Sequence, residues 1–442
     1  MSRPTERVVP WRSILTSVVA PQKSFAQELG VRGAGLFAQV SHEAHEAASG
    51  FLSSLWREVY AGMTREELDL AYNRALAAGK SVHVSCALNA ARDWHTGDIR
   101  AELLLRPDHT DRSCIFLCSD YGDIDTARVL LQAALETQVL ERLVLMLSVD
   151  GSAGCIESSL LEDDDDMLKL IFGYIVKARH ARERGAPEND CMKKLLQISV
   201  TDNMIENGSC LSVAARHTNS ITLKRLVNVA RVEGILGLLL VMRCSDESTC
   251  LHQAAFEMAH ENVRLLLVAA EEVDLQHWLL HAKDKDGFTC LHKAITTEIV
   301  DSKSELFELT QTLVAAGGAL LVSQIVPESR QTALHLAVYR GHPQTIPVLL
   351  NVGGEGLLLQ TSEGGRSAMH DAAMEHDHDC LKQLLICAKG LGDAVLQEAL
   401  VQKDEDGKTC FMLAQEHDLY LNMRLVLVYA LEAGVARENL IN

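Results

Sequence analysis

The run Arg330-Gln331-Thr332-Ala333-Leu334-His335-Leu336-Ala337-Val338-Tyr339-Arg340-Gly341-His342, continuing through Leu350, decides how this chain folds. Leu334, Ala337 and Val338 stand at i, i+3 and i+4 and share one face of a short helix; Ile346, Leu349 and Leu350 repeat the pattern in a second. Gly341 between them permits a tight turn. Two such helices make a hairpin whose apolar faces cannot all be buried within one unit, so copies must stack on one another. Pro343 suits the first turn of the second helix, whereas Pro347 is expected to remove a helical hydrogen bond and kink that helix.

The same frame recurs. Thr249-Cys250-Leu251-His252-Gln253-Ala254-Ala255 and Thr289-Cys290-Leu291-His292-Lys293-Ala294-Ile295 keep it closely, and runs opening at Ser367 and Thr409 keep it more loosely. Upstream it continues through Ser209 to Ala215 and Ser113 to Cys118, with fainter openings at Ser85 and Gly154. On these residues the chain resembles the ankyrin-repeat family, whose unit opens Thr-Pro-Leu-His-x-Ala-Ala, turns at Gly-His and closes on leucines with a period near 33 residues. Ala333 and several cysteines replace the family's proline, and the openings here commonly lie about 40 residues apart. The excess falls after the second helix. Ala269 to His281 and Ala388 to Leu400 carry their own apolar periodicity and read as extra helical turns, while Asp286-Gly287 and Asp406-Gly407 signal the turns that follow them. Thr296 to Leu306 reads as an insertion between the two helices of its repeat.

The expected fold is therefore all-α: an ankyrin-repeat solenoid of stacked helix-turn-helix units with hairpin or helical loops between repeats. Residues 1–80 are expected to form an irregular lead and a helical N-terminal cap, 81–208 divergent ankyrin-like repeats, 209–424 ankyrin repeats with inserts, and 425–442 a C-terminal closure. Within the cap, Ser41 to Tyr60 reads as an amphipathic helix and Thr64-Arg65-Glu66-Glu67 as a capping box that starts another.

The chain has 442 residues, 48% of them apolar but only 5% aromatic, so its core is aliphatic, as closely packed helix pairs require. Its formal charge of -19 argues against nucleic acid and against anionic membranes, both of which need concentrated lysine and arginine. The most apolar run, Ile235 to Met242, is far below the ~20 residues that span a bilayer and reads as a buried helix between repeats. No membrane partner and no signal peptide are expected; a cytoplasmic, monomeric protein is.

Twelve cysteines would suggest disulfides in a secreted protein. Here Cys86, Cys114, Cys155, Cys210, Cys250, Cys290 and Cys410 stand at the family's proline position. Equivalent positions on adjacent helical layers lie ~8 to 10 Å apart, too far for a bridge, so free packed thiols are expected. The Cys-x-His pairs at Cys250 and Cys290 lack the spacing of a zinc site. His376-Asp377-His378-Asp379 falls at a turn, and no metal or cofactor is expected. The acidic run Glu162 to Asp166 breaks the calcium-loop pattern and reads as a solvated turn, with docking of a basic peptide as the alternative. No nucleophile elbow, phosphate loop, dinucleotide fingerprint or metalloprotease motif occurs, so no catalytic residue is expected. His42, Glu43, His45 and Glu46 are the only dense titratable set an enzyme could use.

The resemblance implies a protein-protein interaction scaffold, binding a protein partner of unknown identity on its concave face. It implies that His252, His292, His335 and His370 link the loops of neighbouring repeats. It places partner contacts at Phe256, Glu257, Thr296, Thr297, Tyr339, Arg340, Met374 and Glu375 on the first helices, and at Asp286, Phe288, Arg366 and Lys408 near the tips. Phe256, Phe288, Tyr339 and Arg340 are the expected anchors, because aromatic residues and arginine dominate interface energetics. An adaptor or secreted effector whose N-terminal helices recruit a second protein through Phe51, Leu55 and Trp56 is the alternative, and a small N-terminal enzyme or metal module a further one.

Overall fold

The computed structural model describes residues 59–94, 98–108, 112–147, 154–181, 190–198, 208–217, 219–297, 303–376 and 378–441. The helix expected to run from Ser41, with His42, Glu43, His45, Glu46, Phe51, Leu55 and Trp56, lies outside these residues except for its end. The chain divides into two compact units, one of Met1–Ala75 with Val82–Ile99, the other of Leu76–Ser81 with Arg100–Asn442.

In the first unit, Thr64 and Glu67 form the expected capping box. The Thr64 backbone N–H donates to the Glu67 carboxylate at 2.9 Å, and the Glu67 N–H returns to the Thr64 hydroxyl at 3.4 Å. The helix Arg65–Ala77 that follows buries Leu68 and Tyr72. The next helix runs Ser81–Arg92, so Cys86 lies inside it, not at an opening. The frame expected at Ser85 is thus a matter of composition alone.

The second unit is the repeat array. Its opening helices are Cys114–Asp120, Cys155–Leu161, Cys210–His217, Cys250–Phe256, Cys290–Thr296, Ala333–Tyr339, Ala368–Met374 and Cys410–Glu416. The faint opening at Gly154 is therefore a repeat start. Each opening helix packs on the next through small residues: Ala214, Ala254, Ala294, Ala337 and Ala372 are all fully buried. Longer second helices, such as Ile124–Glu136, His260–Glu271 and Tyr420–Glu432, stack behind them.

A third, short helix completes each unit. Leu140–Val144, Cys191–Leu196, Leu236–Val241, Gln276–His281 and Asp393–Val401 are separate examples. In two repeats it is fused to the second helix across a left-handed glycine: Gly318 (φ 61°) within Lys303–Val322 and Gly354 (φ 59°) within Ile346–Leu358. The bend in Ile346–Leu358 therefore sits at Gly354, not at Pro347. That helix begins only at Ile346, so Pro347 falls in its first turn, where a missing N–H costs nothing. Ser304–Val322 is the one helix among the described residues long and apolar enough to cross a membrane. Here it is a packed repeat helix, with Leu309 and Leu313 fully buried.

The third helix explains the cysteines. Cys114, Cys155, Cys210, Cys290 and Cys410 donate their thiols to the carbonyls of Leu104, Val144, Leu196, Leu280 and Leu400, at 3.4, 3.4, 3.3, 3.7 and 3.9 Å. Each acceptor lies at the end of the preceding third helix, where carbonyls lack helical partners. A proline offers no such donor. Where Ala333 and Ala368 stand instead, an antiparallel bridge (Ile325 with Thr332, Thr361 with Ser367) closes the tip. The cysteines are free and, apart from half-buried Cys387, buried.

Projecting tips join the repeats. Asp284 closes its tip by accepting the Asp286 and Phe288 backbone N–H groups at 3.1 and 2.7 Å, and Asp404 does the same for Asp406 and Lys408 at 3.0 and 2.7 Å. Tips also bond to one another, from the Lys285 N–H to the Asp246 carbonyl (2.8 Å) and from the Glu405 N–H to Gly364 (3.0 Å). Gly287, at φ 82°, lies so close to the next tip that a Cβ would meet Pro327 Cδ at 2.1 Å. Gly318, equally left-handed, faces open space. Gly287→Ala is therefore expected to cost several kcal/mol, against about 1 kcal/mol for Gly318→Ala, where only backbone strain is added. Urea unfolding of the two variants beside the parent measures the difference; equal losses would contradict the tip contact.

Candidate functional site

The surface that offers itself for recognition is built outward from the opening helices. Four of them begin at an extended Thr or Ser that forms a capping box with a histidine. The histidine one turn on receives two bonds at Nδ1: the Thr249 N–H reaches His252 at 3.2 Å and its hydroxyl at 2.8 Å. The same pair recurs at Thr289 with His292, Thr332 with His335 and Ser367 with His370. With Nδ1 accepting, the proton sits on Nε2. From there His252 donates to the Phe288 carbonyl at 3.0 Å, His335 to Arg366 at 3.2 Å and His370 to Gln402 at 3.0 Å, each in the following tip. His292 differs: its Nε2 lies beside the Gln324 backbone of a longer tip and makes no hydrogen bond of normal geometry.

Side chains near the ends of the opening helices form a row across the repeats. Tyr339 is 66% exposed, with the Arg340 guanidinium 5.8 Å from its ring centre. Phe256 is 36% exposed and lies under Arg216, whose guanidinium is 5.4 Å from the ring centre. Met374 and Glu375 are half-buried in the same row. Tyr121, 65% exposed at the end of the first opening helix, extends it. Sequence reading passed over Tyr121 and Arg216 because their repeats lack the histidine that marks the frame.

Several expected contacts prove to be occupied within the chain. Glu257 pairs with Arg216 at 3.0 Å, and Lys408 pairs with Glu416. Phe288 is half-buried, edge-on to His292 with ring centres 6.0 Å apart and capped by the Lys293 ammonium at 5.5 Å. It is a strut between tip and helix, not a free anchor. The Thr296 hydroxyl bonds the Lys293 carbonyl at 3.0 Å, while Thr297 is buried and donates to the Phe256 carbonyl at 2.8 Å. Arg366 contributes its carbonyl to His335. Asp286 is exposed at its tip.

The acidic run is likewise internal. Asp164 caps the following helix, bonding the Met167 N–H at 2.9 Å. Asp163 accepts from Asn219 and Thr222 of the next repeat at 2.7 and 3.1 Å, and Asp165 holds Arg225 at 2.5 Å. The Arg225 guanidinium holds the Asp165 carboxyl below its usual range. A basic group from the chain itself therefore fills the place of a basic peptide. His376 stands at the bend as expected, but His378 and Asp379 open the helix His378–Leu391; Asp377 lies outside the described residues, and no group of three or more metal-ligating side chains is found among the described residues.

Residues 303–392 match the family model described as ankyrin repeats (3 copies). These residues are ankyrin repeats, a module of protein interaction, and the array that contains them has the fold of an ankyrin-repeat solenoid. Among solved structures, the chain is similar to the ankyrin repeat domain of Bcl-3, a member of the IkappaB protein family, at 19% identity and a TM-score of 0.42, over 61% of this chain and 97% of that one. It is also similar to a chain in the complex of the Bd0816 predatory endopeptidase of Bdellovibrio bacteriovorus with immunity protein Bd3460, at 20% identity and a TM-score of 0.37, over 49% and 96%. Comparison with curated proteins gives no match.

Burial lowers His252, His292 and His335 to about 4 and lowers His370 as well, so all four are neutral in the fold near pH 7. In the unfolded chain they take up protons below about 6.5. Stability is therefore complete above that pH and is lost as pH falls toward 4, because only the unfolded state gains protons. The thermal midpoint should drop across this window. His335→Gln should flatten that drop and cost about 1 to 3 kcal/mol at pH 7; a variant with the parent's pH profile would show that His335 is not one of the groups responsible.

Proposed function

We propose that the chain is a cytoplasmic, monomeric scaffold that takes a partner protein along the row of opening-helix ends on the concave face of the array. The observation that carries this is the pair of exposed side chains Phe256 and Tyr339, mounted at equivalent places on helices bonded through His252 and His335 to the following tips, with Tyr121 exposed one position further along its own helix. Aromatic groups on a rigid support lose little entropy on binding and concentrate interface energy. The buried free thiols suit a reducing compartment, which supports the cytoplasmic assignment.

A binding role also fits the chemistry of the titratable groups. Burial pushes Cys155, Cys210, Cys250, Cys290 and Cys410 up to about 12, so they are thiols and not nucleophilic thiolates near neutral pH. The histidines are held in one tautomer by structural bonds. Asp371, on an opening helix, is pushed up to about 6 by burial, so its charge changes near physiological pH. It would tune a contact with a basic side chain.

A photoreactive amino acid placed at Tyr339 should cross-link a partner in cell extract, whereas the same group at Val352 on a second helix should not. Phe256→Ala with Tyr339→Ala and Met374→Ala should lower capture about tenfold while leaving the melting profile near that of the parent. Equal cross-linking from both positions, or capture insensitive to the triple change, would move recognition away from this row.

A further inference from the structure

The third helices, which the family pattern does not contain, present a second surface. Each ends in an aliphatic pair that is buried, such as Leu195-Leu196, Leu239-Leu240, Leu279-Leu280 and Leu321-Val322, preceded by one residue that is exposed. Reading that exposed position along consecutive repeats from Leu140–Val144 onward gives Arg142, Lys194, Leu238, Trp278 and Leu320, and then Gly356 and Glu398. Leu238 is 48%, Trp278 36% and Leu320 62% exposed. Three successive repeats thus offer large apolar side chains at one register, after two that offer cations.

Bonds between repeats keep these helices aligned. Lys194 pairs with Glu141 of the preceding third helix at 2.9 Å. Leu275 packs against Gly237, its Cδ1 at an ordinary contact distance of 3.5 Å from where a Cβ would stand. The Arg243 guanidinium donates to the Lys283 carbonyl at 2.7 Å and lies 5.4 Å from the Trp278 ring centre, and the Lys283 ammonium in turn donates to Ile325 at 3.1 Å. The apolar ridge is therefore edged by Lys283 and by Arg243, which also reaches the Glu247 carboxylate at 3.8 Å, and is approached through Arg142, in a chain whose net charge is -19.

We infer that this ridge binds an acidic amphipathic helix of a partner protein. Stacked helical layers lie ~8 to 10 Å apart, and an α-helix advances ~10.5 Å in seven residues, so a helix lying along the array meets Leu238, Trp278 and Leu320 with one apolar residue every second turn. Its carboxylates face Arg243, Lys283 and Arg142. Charge complementarity selects this occupant over a lipid surface. Three side chains, one of them shared with Arg243, offer little to insert into a bilayer, and the rest of the chain is repelled by anionic headgroups.

The test uses the full chain and a fluorescent helical peptide with leucine at every seventh position and glutamate and alanine elsewhere, read by anisotropy. Binding should weaken at least about tenfold in Leu238→Glu, Trp278→Glu, Leu320→Glu. It should also weaken about tenfold when lysine replaces the peptide's glutamates, and with added salt. Tyr339→Ala should leave it unchanged, which separates this surface from the opening-helix row. Equal binding of both peptides, or of parent and triple variant, would overturn the inference. Anionic phosphatidylserine vesicles that sediment the parent but not the triple variant would assign the ridge to lipid, and a concentration-dependent dimer abolished by the triple change would assign it to a second copy.

Discussion

The bond on which the array depends runs from a helix-capping hydroxyl to a histidine ring nitrogen. By occupying Nδ1, Thr249, Thr332 and Ser367 oblige Nε2 to carry the proton, and a protonated Nε2 can only donate. The neighbouring tip supplies the acceptor. One local contact of three residues is converted in this way into a bond between repeats, and its repetition fixes how far each layer is displaced from the last. The interaction works only with neutral imidazole, since an imidazolium would have no lone pair for the hydroxyl or the backbone N–H. Burial enforces that state, which couples cohesion of the array to pH.

Around this ladder the chain adds a second linkage at the start of the opening helix, from thiol to the carbonyl of the preceding third helix. A thiol donor is weak, and a single such contact decides little. Its value lies in its position: the last carbonyls of a helix six residues long have few other partners, and leaving one unpaired in a buried site costs about 1 to 3 kcal/mol. The third helix is thereby held against the next opening helix, and its exposed side is carried into register with its neighbours.

Two surfaces follow from one construction. At the opening-helix ends, contacts such as Arg216 with Glu257 across repeats and Lys293 with Asp284 within one consume the charged groups and leave aromatic ones displayed. The third-helix side instead leaves apolar residues displayed beside cations. Rigidity is common to both, because the same inter-repeat bonds support them, and a partner that docks on either meets a surface already ordered.

The opening signature, with its small residues at the helix contacts, was legible in the chain because it is local: Thr, His and Ala at fixed offsets specify a cap, a tautomer and a close helix approach without reference to anything distant. The helical nature of Gln276–His281 and Asp393–Val401 was legible too, from their apolar spacing. Composition misled at Cys86, which has the right neighbours but sits in mid-helix, and local rules misplaced the bend at Pro347, because they could not say that the helix begins one residue earlier. Which side chains stay available was decided by packing alone. Phe288 and Tyr339 are equally suited to bind by type, yet one is half-buried and clasped by His292 and Lys293 from its own repeat while the other stands exposed beside Arg340. The sequence by itself determined the repeat and its internal bonds, since those depend on residues a few positions apart. Only the tertiary structure decided what cysteine does at the opening and which faces remain uncovered, since both depend on groups ten or more residues away that stacking brings together.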